Sequence, residues 1–360
     1  MTEPAAFRAQ FPVLARYSYL NAGTEGPVPQ AAADAVRARI LSDTEEGRIG
    51  PSYFKENQDL AASVRAGYAD VIGADASEVA LTGSTTDGLN TVLGGLALGR
   101  GDEILTTDQE HPGLLAPLRR AREIHGVTVR VVPFAEIAAE VGPGTKLVAC
   151  SHVSWVGGEV VDIAAIKATG VPLVLDAAQS LGAVPVDVHA LGCDFYAGSG
   201  QKWLCGPEGS GCLWVKPERL DDLEPPWPGY GTLSDHLDCL GSGLSEGTRR
   251  LDHGFPPAMR SAWALASLNV FKEAGWDWVH DRASTLSRRL ADLLHERGKT
   301  VLPRGGSTLV SWKADDPEDD VARLRELGML VRSIPTHHVM RASVGAWTTD
   351  DELQRLAAAV

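Results

Sequence analysis

Asp194-Phe195-Tyr196-Ala197-Gly198-Ser199-Gly200-Gln201-Lys202-Trp203-Leu204-Cys205-Gly206-Pro207 decides how the rest of the chain is read. A strand-like DFYAG run feeds Ser-Gly, one lysine follows where other polar groups are scarce, and Gly-Pro closes the turn. Eighteen residues before this segment opens, the apolar run Val171-Pro172-Leu173-Val174-Leu175 ends on Asp176, with Gln179 three positions on. Such a run predicts a buried strand. Taken singly, the lysine is most often a solvated surface residue and the aspartate most often a helix N-cap. In this order they match what pyridoxal phosphate (PLP) chemistry needs. The lysine condenses with the cofactor aldehyde, and the strand-end acid keeps the pyridine nitrogen protonated so that the ring draws electrons.

Composition permits such an enzyme and removes several rivals. A chain of 360 residues is long enough for two units with sizeable cores. A formal net charge of −14 argues against nucleic acid or an anionic membrane as partner, because phosphate surfaces demand clustered cations. The opening Met1-Thr2-Glu3-Pro4-Ala5-Ala6-Phe7-Arg8 has no basic start and no apolar core, so no signal peptide is visible and a cytoplasmic location is expected. No apolar run approaches the roughly 20 residues of a membrane-spanning helix. The five cysteines (Cys150, Cys193, Cys205, Cys212, Cys239) include no C-x-x-C pair. That fits reduced thiols and gives no reason to expect a metal.

The first two-thirds of the chain alternates short β-type runs with helical patterns. Residues 79–82, 103–106, 127–132, 147–150 and 173–175 read as strands, and residues 89–98 and 114–125 as helices. The alternation predicts an α/β fold with a mostly parallel sheet covered by helices. Ser210-Gly211-Cys212-Leu213-Trp214-Val215 reads as one more strand, expected antiparallel. The Pro/Gly-dense stretch Glu224-Pro225-Pro226-Trp227-Pro228-Gly229-Tyr230-Gly231 marks a boundary. A large domain is therefore expected over residues 18–230, with 1–17 and 231–360 forming a smaller α/β domain. Within the latter, 259–274 and 278–297 read as long helices. Residues 307–312, 330–332 and 340–344 read as strands, and 319–327 and 350–359 as further helices.

Other segments suit the same cofactor. Gly83-Ser84-Thr85-Thr86-Asp87-Gly88 follows a strand and opens a helix, where backbone N–H groups and hydroxyls form a phosphate cradle. Alone, that segment means plain capping more often than not. His111 lies just past a strand and offers an imidazole to a planar ring, although a lone loop histidine is commonly just exposed. Ser151-His152-Val153-Ser154-Trp155-Val156-Gly157-Gly158 sits at another strand's end, where ligands bind in open α/β sheets. Glu246-Gly247-Thr248-Arg249-Arg250 offers a hydroxyl and two cations in a loop.

With these motifs in place, the chain resembles the class V aminotransferase family, the cysteine desulfurase-like branch of fold-type I PLP enzymes. The likeness runs from Tyr19-Leu20-Asn21-Ala22-Gly23 to Val339-Met340-Arg341-Ala342-Ser343, and rests above all on D-x-x-Q at Asp176 to Gln179 and S-G-Q-K at Ser199 to Lys202. The resemblance implies that Lys202 is the Schiff-base lysine, Asp176 the partner of the pyridine nitrogen and Gln179 a contact of the phenolic oxygen. It implies that His111 stacks on the ring, and that Thr85, Thr86, Ser199 and Gln201 hold the phosphate, helped by Thr248 of a second subunit. Arg341 would bind the substrate α-carboxylate as a two-point fork, with Trp155 and Arg249 as further substrate-side candidates. A homodimer with shared active sites is implied as well.

The chain departs from the family pattern at three places. Many members carry histidine where this chain has Gln201. Desulfurases commonly have asparagine where Trp155 stands, and the H-x-x-W-x-x-G arrangement is similar to the cysteine/cystine C–S lyase subgroup. Desulfurases also keep a catalytic cysteine shortly before the carboxylate-binding arginine, whereas residues 331–341 here read Val-Arg-Ser-Ile-Pro-Thr-His-His-Val-Met-Arg. A PLP-dependent C–S lyase acting by β-elimination on cysteine, cystine or a cysteine S-conjugate is therefore the first expectation. Aminotransfer or epimerisation uses every one of the same cofactor residues. A non-catalytic binding protein is the outside reading, disfavoured because Lys202, Asp176 and Arg341 are all present.

Overall fold

The computed structural model describes residues 2–252, 254 and 256–360. The chain begins with α1 (Pro4–Ala9) and the two-residue β1 (Ser18–Tyr19), then runs through two long helices, α2 (Gln30–Glu45) and α3 (Gly50–Ile72). It next builds a seven-stranded sheet from β2 (Val79–Thr82), β3 (Glu103–Thr107), β4 (Thr128–Val132), β5 (Thr145–Ser151), β6 (Leu173–Asp176), β7 (Phe195–Ser199) and β8 (Gly211–Val215). Interspersed are α4 (Thr85–Gly95), α5 (Pro112–His125), α6 (Ile163–Lys167) and α7 (Val188–Leu191). The spatial order is β2-β8-β7-β6-β5-β3-β4, and only β8 runs against its neighbours. The mostly parallel sheet and the antiparallel strand over 211–215 agree with the sequence expectation.

Burial on both faces explains why these strands are near-continuous apolar runs rather than alternating ones. One face turns Val174, Phe195, Ala197 and Leu213 toward Leu89 and Val92 of α4 and Leu114 and Leu118 of α5. The other turns Leu173, Leu175, Tyr196, Cys212 and Trp214 toward Val64, Tyr68 and Ile72 of α3. Helices α2 and α3 were not among the elements expected from the sequence. In α3 the buried Ala61, Val64, Tyr68, Val71 and Ile72 recur at helical spacing, and Gly73 stops the helix at φ +67°. In α2 only Ala32 is buried, so the chain alone gives it almost no amphipathic stripe.

The remaining chain forms α8 (Ala258–Ala274), α9 (Trp276–Glu296), β9 (Leu309–Lys313), α10 (Pro317–Glu326), β10 (Met329–Leu330), β11 (Arg332–Ile334), β12 (Val339–Ser343) and α11 (Asp350–Ala359). The single strand expected over 330–332 is two strands. β10 pairs parallel with β1, while β11 pairs antiparallel with β12 in the sheet β11-β12-β9. Leu290 and Leu294 of α9, Trp312 of β9, Met340 of β12 and Leu353 and Leu356 of α11 form its core. α8 packs against α2 and α3, and its Ala264 and Leu268 join the core around Val64 and Tyr68. α1 reaches the far end of the chain. Phe7 meets Phe271 and Trp278 edge-on at 5.7 and 5.2 Å, and Arg8 donates to both carboxylate oxygens of Glu352 at 3.0 and 2.8 Å.

Candidate active site

The carboxyl ends of the parallel strands share one edge of the large sheet. Register places Ser151 beside Asp176 and Asp176 beside Ala197, so the segments leaving β5, β6 and β7 emerge side by side. Open α/β sheets bind ligands at that edge. Here it opens on a pocket of about 250 Å³ lined by Thr85, Thr86, His111, Trp155, Asp176, Gln179, Ser199, Gln201 and Lys202, together with Gly23, Thr24, Glu25 and Arg332. Local chemistry fixes each approach. Ser84 caps α4 by accepting from the Asp87 N–H at 3.1 Å, which leaves Thr85 and Thr86 at the helix tip. His111 caps α5, its Nδ1 accepting from the Gly113 N–H at 2.9 Å, and Pro112 opens that helix. A Cβ at Gly113 would come within 2.6 Å of Thr86 Oγ1, so the two helix tips approach only because that position is glycine.

Several polar atoms of residues lining this pocket are buried and without partners: Thr85 Oγ1, Ser199 Oγ, Gln201 Oε1 and Trp155 Nε1. Hydroxyls at a helix N-terminus suit a phosphate, and a buried acid suits a protonated ring nitrogen. The residues present therefore fit PLP. Asp176 is 4% exposed; burial pushes its carboxyl up, and Lys202 pulls it back down. Burial brings the Lys202 amine down to about 8, with Asp176 opposing the shift and Arg341 adding to it. His111 falls to about 4 through burial and the cations Lys202, Arg332 and Arg341, so its imidazole is neutral at neutral pH. It meets the Trp155 ring edge-on at 4.9 Å.

Arg341 lies just behind the pocket, fully buried on β12. Its Nη1 donates to the Trp155 carbonyl, while Nε and Nη2 have no partner. Burial and the neighbouring Arg332 bring it down to about 9. A Cβ at Gly23 would sit 3.2 Å from Arg341 Nη2 and 2.7 Å from Ser343 Oγ, so glycine there lets the chain that lines the pocket pack directly against the guanidinium.

Not every expected residue is gathered. Gln179 lines the pocket, but its Oε1 accepts from Trp203 Nε1 at 3.2 Å and its Nε2 donates to the Gly23 carbonyl at 2.8 Å, which leaves one N–H for a ring oxygen. Thr248 lies outside the pocket of its own chain. Its hydroxyl donates to the Ser77 carbonyl at 3.0 Å and the residue is 2% exposed. Arg249 is exposed and also outside, and Arg250 pairs with Asp221 at 3.1 Å. Conversely, Glu25, Arg332 and the buried Glu110 were missed. The Gly/Pro turn Gly23-Thr24-Glu25-Gly26-Pro27 after a short strand was the available signal for the first.

Comparison with known proteins gives the family. The profile of the family described as Aminotransferase class-V matches residues 19–356. Isopenicillin N epimerase of Streptomyces clavuligerus is 30% identical over 380 residues, covering 95% of this chain and 93% of the relative. A cysteine desulfurase of Serratia proteamaculans is 27% identical, covering 98% and 96%. Two solved structures of C-DES, each 29% identical, superpose with TM-scores of 0.92 and 0.91. The first covers 98% of both chains and carries glycine covalently linked to its PLP cofactor. The second covers 97% of this chain and 98% of its own, and is the cystine C–S lyase with its reaction product, cysteine persulfide. Sheet-edge pocket, strand-end acid, loop lysine and family profile converge, and the chain belongs to the class V aminotransferase family as a PLP-dependent enzyme of the cysteine desulfurase-like kind.

Proposed function

We propose that the protein is a PLP-dependent C–S lyase that performs β-elimination on cysteine, cystine or a cysteine S-conjugate, giving pyruvate, ammonia and a sulfur product. One observation carries the choice of elimination over desulfuration: among the described residues no cysteine lines the pocket. Cys150, Cys193, Cys205 and Cys212 are buried, and Cys239 is exposed in a separate loop. Desulfuration needs a protein thiolate at the substrate sulfur; elimination does not.

Each residue has a task in this reading. Arg341 grips the α-carboxylate through the two guanidinium nitrogens that lack partners. Lys202, brought down to about 8, is neutral in part near neutral pH, and it takes the proton from Cα. Bound PLP supplies the electron sink for the pair that proton leaves behind. Asp176 would hold the ring nitrogen of bound PLP in its charged form. His111, neutral throughout the physiological range, would cover the ring of bound PLP without adding another cation. The C–S bond then breaks with its electron pair on sulfur, and water releases ammonia and pyruvate from the remaining fragment.

The similarity to isopenicillin N epimerase supports a second reading, in which the proton returns to Cα from the opposite face. One incubation separates the two. S-ethylcysteine, cysteine and cystine are offered in deuterated water, and pyruvate, alanine, sulfur products and Cα stereochemistry are followed. Pyruvate from at least one substrate supports elimination. Inverted, Cα-deuterated amino acid without pyruvate moves the assignment to epimerisation, and alanine to desulfuration.

A further inference from the structure

Departure of sulfur from carbon calls for a proton donor. The more weakly acidic the thiol, the more slowly its anion leaves unaided. Five charged or titratable side chains line the pocket: Glu25, His111, Asp176, Lys202 and Arg332. Asp176 belongs to the ring nitrogen and Lys202 to the Cα proton. His111 Nδ1 accepts from the Gly113 N–H, and an imidazole down at about 4 is neutral and a very weak acid. A guanidinium keeps its proton near neutral pH. Glu25 remains.

Its backbone is fixed beside the lysine. The Glu25 N–H donates to the Asn21 carbonyl at 3.2 Å, and its own carbonyl accepts from the Tyr19 hydroxyl at 3.0 Å. Gly26 N–H donates to the Gln201 carbonyl at 2.8 Å, and a Cβ at Gly26 would collide with the Lys202 carbonyl oxygen. The turn carrying Glu25 thus lies directly on the Gln201-Lys202 segment. Among the described residues the Glu25 carboxyl has neither a hydrogen-bond nor an ion-pair partner, so nothing ties it away from a substrate. Burial and the neighbouring Glu208 hold it up at about 7, against the pull of Lys202. Near neutral pH it is therefore protonated in part, as a proton donor must be. Glu25 also borders an outer depression of about 770 Å³, which Glu208 and Arg260 line as well.

We propose that Glu25 is the general acid that protonates the departing sulfur. The inference rests on the C–S lyase reading and deepens it. The C–S bond breaks with its electron pair on sulfur, and the Glu25 O–H bond breaks as that pair takes the proton. A thiol leaves and a carboxylate stays, which regains a proton from water through the outer depression. The acid sets how weakly acidic a thiol can be expelled, a choice among substrates that share one reacting head.

The test compares PLP-loaded wild type and Glu25→Gln on S-ethylcysteine and S-trifluoroethylcysteine. The two are close in size, and the fluorines make the second thiol more acidic and less dependent on a donor. In the variant, kcat/KM for pyruvate from S-ethylcysteine should fall roughly 10²-fold and from S-trifluoroethylcysteine by about tenfold at most. One common factor on both substrates overturns the proposal, as does no loss at all; either result leaves Lys202 as the donor. Glycine has no group to expel, and its Kd, read from the cofactor absorbance, should be kept; a weakening as large as the loss on S-ethylcysteine also overturns the acid role. A further readout needs no turnover. The infrared difference between wild type and variant should show a protonated-carboxyl band at about pH 6 that fades by about pH 8. Without that band Glu25 has no proton to give, and the proposal falls. If the wild type makes no pyruvate from either conjugate, the lyase reading fails and the acid with it, whereas pyruvate with equal losses removes the acid alone.

Discussion

Asp176, Ser199 and Lys202 line one wall of the pocket, Gly23, Glu25 and Arg332, backed by the buried Arg341, line another, and the two are held differently. The first hangs on strand ends in the middle of the seven-stranded sheet, with both faces of β6 and β7 buried. The second is assembled from distant parts of the chain. Two-residue β1 pairs with β10, Asn21 makes a single bridge to Ser343, and Trp347 Nε1 donates to the Tyr19 carbonyl at 3.1 Å. A site precise to fractions of an ångström belongs on the rigid wall, and recognition that varies between substrates belongs on the other. Cofactor chemistry and substrate choice are thus separable in this chain.

The largest test of the separation is Lys202→Ala. Removing the amine takes away both the covalent hold on PLP and the base at Cα, and a general base alone contributes roughly 10²- to 10⁴-fold. Turnover should fall by at least that range and the bound-cofactor absorbance should change form. An unaltered cofactor spectrum with near-normal turnover would dissolve the rigid wall's assigned role.

Glu110 gives the next effect, on stability. Its carboxylate bridges the ends of β3 and β5: Thr107 Oγ1 donates at 2.5 Å, and the Ser151 N–H and hydroxyl donate at 2.9 and 2.6 Å. Burial outweighs these donors and raises the acid from 4.5 to about 7. The neutral form is therefore favoured in the fold. Its contribution is fully present below pH 4.5 and is lost as pH rises through about 7, by about 3 kcal/mol for a gap of that size. Glu110→Gln cannot ionise, so its urea-unfolding free energy should vary less between pH 4.5 and 7 than the wild type's. Equal slopes in the two proteins would take the buried ionisation off this wall.

What the sequence revealed follows the same division. Asp176 and Lys202 were legible because a strand buried on both faces is an unbroken apolar run, and what interrupts it stands out. Thr85 and His111 follow strands in the same way. Arg332 and Glu25 were not legible. Each sits beside a two- or three-residue strand whose pairing is with a segment over three hundred residues away in one case, so no local periodicity marks it. Arg341 came only through family resemblance. α2 escaped because its apolar side chains, Ile40 and Leu41 among them, remain 47% and 57% exposed in the single chain. Thr248 likewise came only through family resemblance, and within its own chain its hydroxyl donates to Ser77.

On the substrate wall, Arg341→Lys should be milder than loss of Lys202. Lysine keeps a positive charge and loses the planar fork, and beside Arg332 in a buried site it gives up its proton more readily than arginine. KM should rise roughly 10- to 100-fold, the scale of losing a charge-assisted hydrogen bond, while the absorbance of the bound cofactor is kept. Saturation at wild-type concentrations would relocate the α-carboxylate, and a changed cofactor spectrum would mean that the two walls are not separable.

The smallest effect is expected at the cysteines, and it bears directly on the chemistry. A desulfurase thiolate must reach the substrate sulfur on a mobile segment. Residues 335–338, just before Arg341's strand, are Pro-Thr-His-His. Cys205 follows Lys202 by three positions, yet it is 1% exposed and burial pushes its thiol far above the usual range, so it is neither reachable nor ionised. Cys239 is the exposed thiol, in a loop where Leu237 and Leu240 are also fully exposed, and its Sγ donates to the His236 carbonyl at 3.2 Å. It lines no part of the pocket. Cys239→Ser should leave kcat within about twofold, as for surface substitutions generally, and cysteine or cystine turnover should yield pyruvate in both proteins. Alkylation and mass spectrometry during turnover would reveal any persulfide on the chain. A persulfide on Cys239 with alanine as the product would make the loop part of the active site and replace elimination by sulfur transfer.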